Sequence, residues 1–393
     1  FSDKDSGDDI GYAFKFNSEN IVDLNKEKEE SWKLNVGTNY EYVQEYFTPI
    51  ERFRLVEFER DWNISNAIVN TDQHIVGGTV GLNKIDKVNV VYAFNYMNTL
   101  ELIEGAKNAL SINYKTNGFQ LVSNASFLQT KGVNNSEFLR HKAILTKQLG
   151  WVVLSVGEET EQNKLFLNTS DSLTASSFEF VILQAFVHNA DTTKNKFMLS
   201  YKQRDDNVPV ANDFLKATRA EDIELSMSLL KMKNHKLRST YTYRKLHIVS
   251  NTLTTLKPEE TVLARVEYNG NFLKNLISTN TYYEIGSGLE VKKEFLFIEV
   301  QPGQGTHTFI GDLNNNGVKD LNEFEIAVFR DQANYIKIFT PTNEFVKIYT
   351  NQFNQSLFLQ PEAIWGGEKG LKKLVSRFSN RANFRTSRKV SNK

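Results

Sequence analysis

The 393-residue chain contains no cysteine, and this absence removes several classes of protein at once. A disulfide-stabilised scaffold, a thiol nucleophile and a zinc site with cysteine ligands all need a residue that the sequence lacks. Proline is scarce, at 6 residues, and no apolar run approaches the roughly 18 residues of a membrane-spanning helix. With 47 basic and 47 acidic residues, the balanced charge favours neither nucleic acid nor a general attraction to anionic lipid.

Catalytic signatures are lacking as well. The six histidines are scattered and form no metal-binding pair at helical spacing. The sequence has no G-x-S-x-G, no phosphate-binding loop and no dinucleotide fingerprint. Neighbouring acids such as Asp205 and Asp206 would point to opposite faces of a strand, which does not suit the paired carboxylates of glycoside cleavage. We therefore expect a protein that is not an enzyme.

The sequence does contain a period-2 alternation of apolar and polar residues along most of its length. Aromatic residues make up 12% of the chain, with 28 Phe and 15 Tyr, and these types favour strands. Runs of about ten alternating residues are typical of membrane-spanning β-strands. Five clear runs begin near Trp32, Val88, Phe197, Leu237 and Ile277.

This pattern predicts an all-β protein, an antiparallel transmembrane β-barrel of the bacterial outer membrane, with the lipid bilayer as its first partner. Leu34, Val36, Phe94 and Leu199 would face lipid. Asn35 and Lys202 would face the lumen. A soluble β-sandwich or β-solenoid also alternates and remains the alternative.

Four long connections are predicted between the strands, and no Pro- or Ser-rich linker divides the chain, so residues 1–393 are interpreted as one domain. The third connection has the composition of a loop with one helical turn. The fourth belongs to a long loop at residues 302–324. The four are Asn98–Ala109, Glu158–Ser177, Asp205–Glu221 and Pro302–Glu323.

Residues 312–323 match the twelve-residue calcium loop of an EF-hand at every ligand position. Gly317 would supply the sharp turn at position 6, and Glu323 would close the loop as a bidentate ligand. The flanking segments alternate like strands, which indicates a calcium-clamped connection in a β protein. A metal-free Asn/Gly-rich turn is the alternative. The predicted ligands are Asp312, Asn314, Asn316, the Val318 carbonyl, Asp320 and Glu323.

Two short triplets, at Asp171–Leu173 and Asp191–Thr193, fit the Asp-Ser/Thr-apolar pattern that Bacteroidota use for O-glycosylation. Ser172 and Thr192 are the candidate acceptors of an O-glycan. Both triplets fall in predicted connections.

Residues 286–346, which begin G-S-G-L-E-V-K-K-E-F, resemble large secreted β-rich proteins of Bacteroidota, as do F-R-L-V-E-F-E-R-D-W-N at 53–63 and N-Q-F-N-Q-S-L at 351–357. The resemblance implies a long outer-membrane-associated β protein of which this chain is the C-terminal part. It implies no catalytic residue. We therefore expect a structural or accessory subunit of an envelope assembly, with other outer-membrane or periplasmic proteins as partners. A secreted calcium-dependent glycan- or polymer-binding module is the alternative.

Overall fold

The structure, a computed structural model, describes residues 11–25, 32–48, 53–55, 57–64, 71–100, 103–132, 135–167, 172–193, 195–314, 316–317 and 319–391. Antiparallel strands dominate these residues, which confirms the all-β prediction. Contacts divide the chain into two compact units, Phe1–Glu260 and Thr261–Lys393, and each is described by itself. Among the described residues, no helix has the length and apolar character needed to cross a membrane.

The first unit is an antiparallel meander in which each strand pairs with the next one along the chain. A short helix, α1 (Phe58–Asp61), lies in the connection between the second and third strands. The strands are β1 Ala13–Asp23, β2 Trp32–Val43, β3 Gln73–Lys84, β4 Val88–Thr99, β5 Ile103–Thr116, β6 Phe119–Gly132, β7 Asn135–Leu149, β8 Val152–Phe166, β9 Phe178–Asn189, β10 Asn195–Val210, β11 Asp213–Leu229 and β12 His235–Ile248.

The register separates two faces of this sheet. Val36 pairs with Val80, Val80 with Tyr92, and Tyr92 with Leu110, which continues a row of apolar side chains across four strands. Successive residues of a strand point to opposite faces. Following the pairs from strand to strand therefore places Leu34, Val36, Phe94 and Leu199 on one face, called here the apolar face, and Asn35 and Lys202 on the other, called the polar face. The predicted division of these residues between two opposite faces of the sheet is confirmed.

The apolar face is open, and the apolar core lies on the polar face. Exposed side chains on the apolar face include Val80 at 52%, Leu199 at 48% and Leu225 at 52%. The core cluster instead joins polar-face side chains of β3, β4, β6 and β7 to Trp62 from the β2–β3 connection. This arrangement is the reverse of a soluble sheet, which buries its apolar side.

Two of the predicted long connections are wrong. β4 ends at Thr99 and β5 begins at Ile103, so residues 98–109 are mostly strand. β10 and β11 are joined by residues 211–212 alone, so Asp205–Glu221 is a strand hairpin without a helical turn. Charged residues of this segment pair across the two strands: Asp205 of β10 pairs with Lys216 and Arg219 of β11, at 2.7 Å each. The segment predicted at 158–177 shortens to residues 167–177.

In the second unit, β13 pairs with β14, β14 with β17, and β17 with β18. The β14–β17 pairing runs from Ile277↔Leu359 to Glu299↔Tyr335, and a small hairpin of β15 and β16 lies between these two strands in the chain. Helices α2 (Glu362–Trp365) and α3 (Leu371–Ser376) lie between β17 and β18. The strands are β13 Glu259–Phe272, β14 Ile277–Glu299, β15 His307–Phe309, β16 Phe324–Ile326, β17 Tyr335–Leu359 and β18 Asn380–Ser391.

Candidate functional site

The calcium motif forms the connection between β15 and β16. These two strands pair from His307↔Ile326 to Phe309↔Phe324, which confirms that strands flank the motif. The pairing continues into the loop, because the Ile310 amide donates to the Glu323 carbonyl at 2.9 Å. Phe324 stacks on Phe297 of β14, with ring centroids 4.0 Å apart, and so attaches the small β15–β16 hairpin to the β14–β17 pair. The loop therefore has a rigid base.

Hydrogen bonds join four of the predicted ligands to one another or to the backbone of the loop. Asp320 Oδ2 accepts hydrogen bonds from the side-chain amides of Asn314, at 2.7 Å, and Asn316, at 2.9 Å. Asp312 Oδ2 accepts from the Gly317 backbone N–H at 2.7 Å, and its Oδ1 from the Asn316 N–H at 3.2 Å. Gly317 has φ +73°, so a residue with a side chain would be strained at this turn.

Glu323, the predicted closing ligand, is fully buried. Its two carboxylate oxygens accept backbone N–H groups from opposite sides of the loop, Leu313 at 2.8 Å and Asp320 at 2.9 Å. Asp320 and Glu323 also form a reciprocal capping box around a short 3-10 helix, Leu321–Glu323. A buried carboxylate with these partners organises the loop whether or not a cation is bound.

The donor set fits calcium in chemical type, since every predicted ligand offers a hard oxygen. Rotation of the Asn314 and Asn316 side-chain amides would exchange their nitrogens for oxygens toward Asp320. Val318 lies outside the described residues. Within the described part of the chain, no group of three or more His, Cys, Asp or Glu is arranged to hold a metal ion. The calcium site therefore stays a prediction.

A lysine inside the motif ties it to the paired strands β14 and β17, a contact that the sequence pattern does not predict. Lys319 Nζ lies 2.6 Å from Tyr335 Oη and 3.3 Å from Glu299 Oε2. Tyr335 Oη donates in turn to Glu299 at 2.9 Å. The hydrogen bonds to Tyr335 and then to Glu299 raise the pKa of Lys319 above its usual value. The only signal in the sequence was the lysine itself. A positive charge among predicted calcium ligands would repel the cation unless it is paired with other groups.

A second feature lies on the polar face of the first unit. Residues 53–55 and 57–64 of the β2–β3 connection, called here the strap, fold back over the sheet. Trp62 is 6% exposed and packs into the core formed by Ile75, Met97, Leu128 and Phe138. Gly105 of β5 lies against the indole: a Cβ there would be in van der Waals contact with two ring carbons of Trp62, at 3.4 Å.

Charged and amide pairs attach the strap to strands on both sides of Trp62. Arg54 pairs with Glu41 of β2 at 2.8 Å. The remaining contacts reach β5, β7 and β8: Asp61–Arg140 at 2.7 Å, Asp61–Lys107 at 3.3 Å, Arg60–Glu161 at 2.8 Å and a reciprocal Asn63–Asn163 amide pair at 2.9 Å. The strap thus crosses the polar face and is fixed at both of its described ends.

The Asp61 carboxylate is the centre of this network. Burial would raise its pKa, but the hydrogen bond from Arg140 and the charges of Lys107 and Arg140 outweigh burial and hold the pKa below its usual value. Asp61 is therefore ionised at neutral pH. The sequence signal for the strap was a tryptophan among alternating charges in F-E-R-D-W-N, which belongs to neither a strand nor an ordinary polar loop.

The two candidate glycosylation residues lie in connections, as predicted, but differ in accessibility. Ser172 is half-buried in the β8–β9 connection, where its carbonyl accepts the Leu167 N–H at 3.0 Å. Thr192 is exposed in the β9–β10 connection. Successive connections of an antiparallel meander lie at alternate ends of its strands. Ser172 and Thr192 therefore lie at opposite ends of β9. Glycosylation stays a prediction.

No family model and no curated protein matches the chain. Two solved structures are similar to it. One is the siderophore receptor PirA from Acinetobacter baumannii, with 12% identity, a TM-score of 0.40, and coverage of 90% of this chain and 58% of that one. The other is the siderophore receptor PirA from Pseudomonas aeruginosa, with 11% identity, a TM-score of 0.42, and coverage of 88% and 65%. The chain spans less than two thirds of either receptor.

Proposed function

We propose that the protein is a non-enzymatic β-barrel of the bacterial outer membrane that serves as a structural or accessory subunit of an envelope assembly. The observation that carries this proposal is the open apolar face of the first unit. Lipid would cover it, and would turn exposed apolar area into a stabilising contact. The polar face, with its lysines, arginines and asparagines, would line the lumen.

Backbone chemistry supports the same proposal. Each strand from β2 to β11 is hydrogen-bonded to neighbours on both sides, so its backbone polar groups have partners without water. In the interior of a bilayer these hydrogen bonds are required, because a backbone N–H or C=O group without a partner there costs several kcal/mol. The strap would then lie inside the barrel and narrow its lumen.

Calcium would hold the β15–β16 connection in one conformation. Asp312, Asn314, Asn316, Asp320 and Glu323 would supply side-chain oxygens, with the Val318 carbonyl as a further ligand. A loop clamped in this way presents a fixed surface to an outer-membrane or periplasmic partner. Leu313 and Leu321, at 59% and 56% exposure, lie within this loop and support a docking role for it.

The second candidate function is a secreted calcium-dependent module that binds glycans or surface polymers. The calcium motif favours it, because such loops shape many extracellular binding surfaces. The exposed apolar face argues against it, because in water that face would promote aggregation.

Detergent partitioning of the native protein tests the proposal. A barrel should remain in the membrane fraction at high salt, enter detergent micelles, and migrate differently on a gel before and after heating. Identification of the chains that co-purify in detergent then tests the accessory role. Recovery of a monodisperse protein in buffer without detergent would overturn the barrel and favour the secreted module.

A further inference from the structure

A cavity of about 390 Å³ opens at the end of the polar face where the β3–β4 and β5–β6 turns lie. It belongs to the first unit, whereas the calcium motif belongs to the second, and it shares no lining residue with the strap. Its volume falls within the range of small-molecule sites, roughly 300–1,000 Å³. The lining residues are Asn83, Lys84, Asp86, Lys87, Val88, Asn89, Asn113, Lys115 and Gln120.

The sheet register explains why these side chains meet. Asn83 pairs with Asn89, and Asn89 with Asn113, so three amides form one row across β3, β4 and β5. Lys115 pairs with Gln120 one step nearer the turns. The Lys115 backbone N–H donates to the Lys87 carbonyl at 2.7 Å, which brings these two lysines together at the rim.

The lining has the chemistry of an oxyanion site. Three lysines outnumber one aspartate, and four side-chain amides provide further N–H donors. Val88 is the only aliphatic residue of the lining, which disfavours an apolar ligand. Lysine ammonium groups bind phosphate oxygens as point charges, while amides can donate to phosphate and also accept from sugar hydroxyls.

The side chains nearest the opening are accessible. Asn89, Asn113 and Lys115 are exposed on the polar face, and Lys87 is exposed in the β3–β4 turn. Lys84 is directed elsewhere, with its Nζ 5.7 Å from the centre of the Trp32 ring, so it adds positive potential more than a direct contact. Asp86 lies on the turn itself, where its φ of +58° is accommodated in the tight hairpin.

We propose that this cavity binds a water-soluble phosphorylated solute, with Lys87 and Lys115 on the phosphate and the Asn83–Asn89–Asn113 row on the rest of the molecule. A soluble source is favoured over a lipid headgroup because the site lies on the polar face, opposite to the face that would meet lipid. The site places a polar-solute contact at one end of the lumen of the proposed barrel. Binding itself requires only that the first unit is folded.

The test is a titration of the full chain in detergent micelles with glucose 6-phosphate, followed by calorimetry and phosphorus NMR. Glucose serves as the uncharged comparison, and dihexanoylphosphatidylglycerol as the lipid source. The variant Lys87→Gln/Lys115→Gln should weaken glucose 6-phosphate binding at least about tenfold, because two charge-assisted hydrogen bonds are lost. Higher ionic strength should weaken binding by the native chain as well.

The matched control is Lys131→Gln/Lys196→Gln, which removes two positive charges from other parts of the same sheet and should leave binding within about twofold. Heat-modifiable gel migration establishes that each variant is folded, and Lys115→Gln alone replaces the double variant if that one does not fold. Three results would overturn the site: no saturable binding by the folded native chain, equal weakening in the control, or binding of the lipid without glucose 6-phosphate. Because folding in detergent is measured separately, a negative titration of folded protein contradicts the cavity and leaves the barrel proposal standing.

Discussion

At the scale of single residues, neighbours along one strand meet opposite environments. Leu199 is 48% exposed on the apolar face, whereas Ser200 lies on the polar face opposite Glu224. Leu199→Arg should destabilise the protein in lipid by about 2–4 kcal/mol if the residue lies near the bilayer midplane. Ser200→Arg should cost little, because a carboxylate faces it. Denaturant unfolding in lipid vesicles measures both, and equal costs would contradict a membrane-facing apolar side.

Glu323 is the residue on which the calcium loop depends most. Glu323→Gln leaves the shape nearly unchanged but replaces one carboxylate oxygen by an amide NH2 group, which cannot accept a hydrogen bond. One backbone N–H of Leu313 or Asp320 then loses its partner, at a local cost of about 1–3 kcal/mol. We expect the native chain to bind calcium with a dissociation constant on the order of 10⁻⁴–10⁻³ M, and the variant to bind it at least about tenfold more weakly.

Glu325→Gln is the control for this change. It removes the same charge two residues away, from an exposed position on β16, and calcium affinity should be nearly unaltered. Calorimetric titration with calcium chloride compares the three proteins. If the native chain shows no calcium binding at millimolar concentrations, the motif is a metal-free turn.

At the scale of elements, the strap is held mainly by one indole. Trp62 is 6% exposed inside a cluster of four apolar side chains, and deletion of a buried aromatic typically costs about 3–5 kcal/mol. Trp62→Ala should therefore release the strap and make the chain more sensitive to trypsin at Arg54 and Arg60. The sheet should stay folded, because its ladders do not involve the strap.

Trp151→Ala provides the comparison, since Trp151 lies at the β7–β8 turn with 79% exposure. It should leave cleavage at Arg54 and Arg60 at the native rate. Equal protection of the strap in the native protein and in Trp62→Ala would show that the indole does not hold it.

The strap should also respond to acid. Because the folded-state pKa of Asp61 is lowered, its ion pairs contribute stability that is complete above the unfolded-state pKa, about 3.9, and lost as the pH falls through the lower folded-state value. The contribution is small, about 1 kcal/mol, because Asp61 is partly exposed and its charges are screened. We expect pepsin to cut the strap faster at pH 2.5 than at pH 4.5, after normalisation to an unfolded substrate.

In the Asp61→Asn variant, pepsin should already cut the strap at a raised rate at pH 4.5. The further rise in cleavage rate between pH 4.5 and pH 2.5 should be smaller than in the native chain. An identical pH response in the native chain and in Asp61→Asn would assign the acid sensitivity to another group.

At the scale of the whole molecule, calcium and the sheet should be separable. The strands are held by their own hydrogen-bond ladders and, in the proposed barrel, by lipid, whereas calcium would join only the β15–β16 connection. Chelation should therefore leave heat-modifiable migration intact and increase trypsin cleavage after Lys319. Loss of the folded band on chelation would mean that calcium supports the fold itself.

The sequence by itself determined the class of structure, because a period of two allows only one face of a strand to be apolar. It also located the calcium motif and its flanking strands, since twelve consecutive residues carry that pattern. Two predicted loops, Asn98–Ala109 and Asp205–Glu221, are wrong, because both segments are mostly strand. The charges of Asp205, Lys216 and Arg219 satisfy one another across a strand pair, and no local pattern reveals such a pairing.

Only the tertiary structure decided what lies on the polar face. Trp62 meets Met97 and Leu128, and Asp61 meets Arg140, across separations in sequence that periodicity cannot bridge. The Asn83–Asn89–Asn113 row has the same origin, because it exists only through the register of three strands. A local pattern specifies which way a side chain points, whereas its partners are chosen by the pairing of strands, a property of the sheet as a whole.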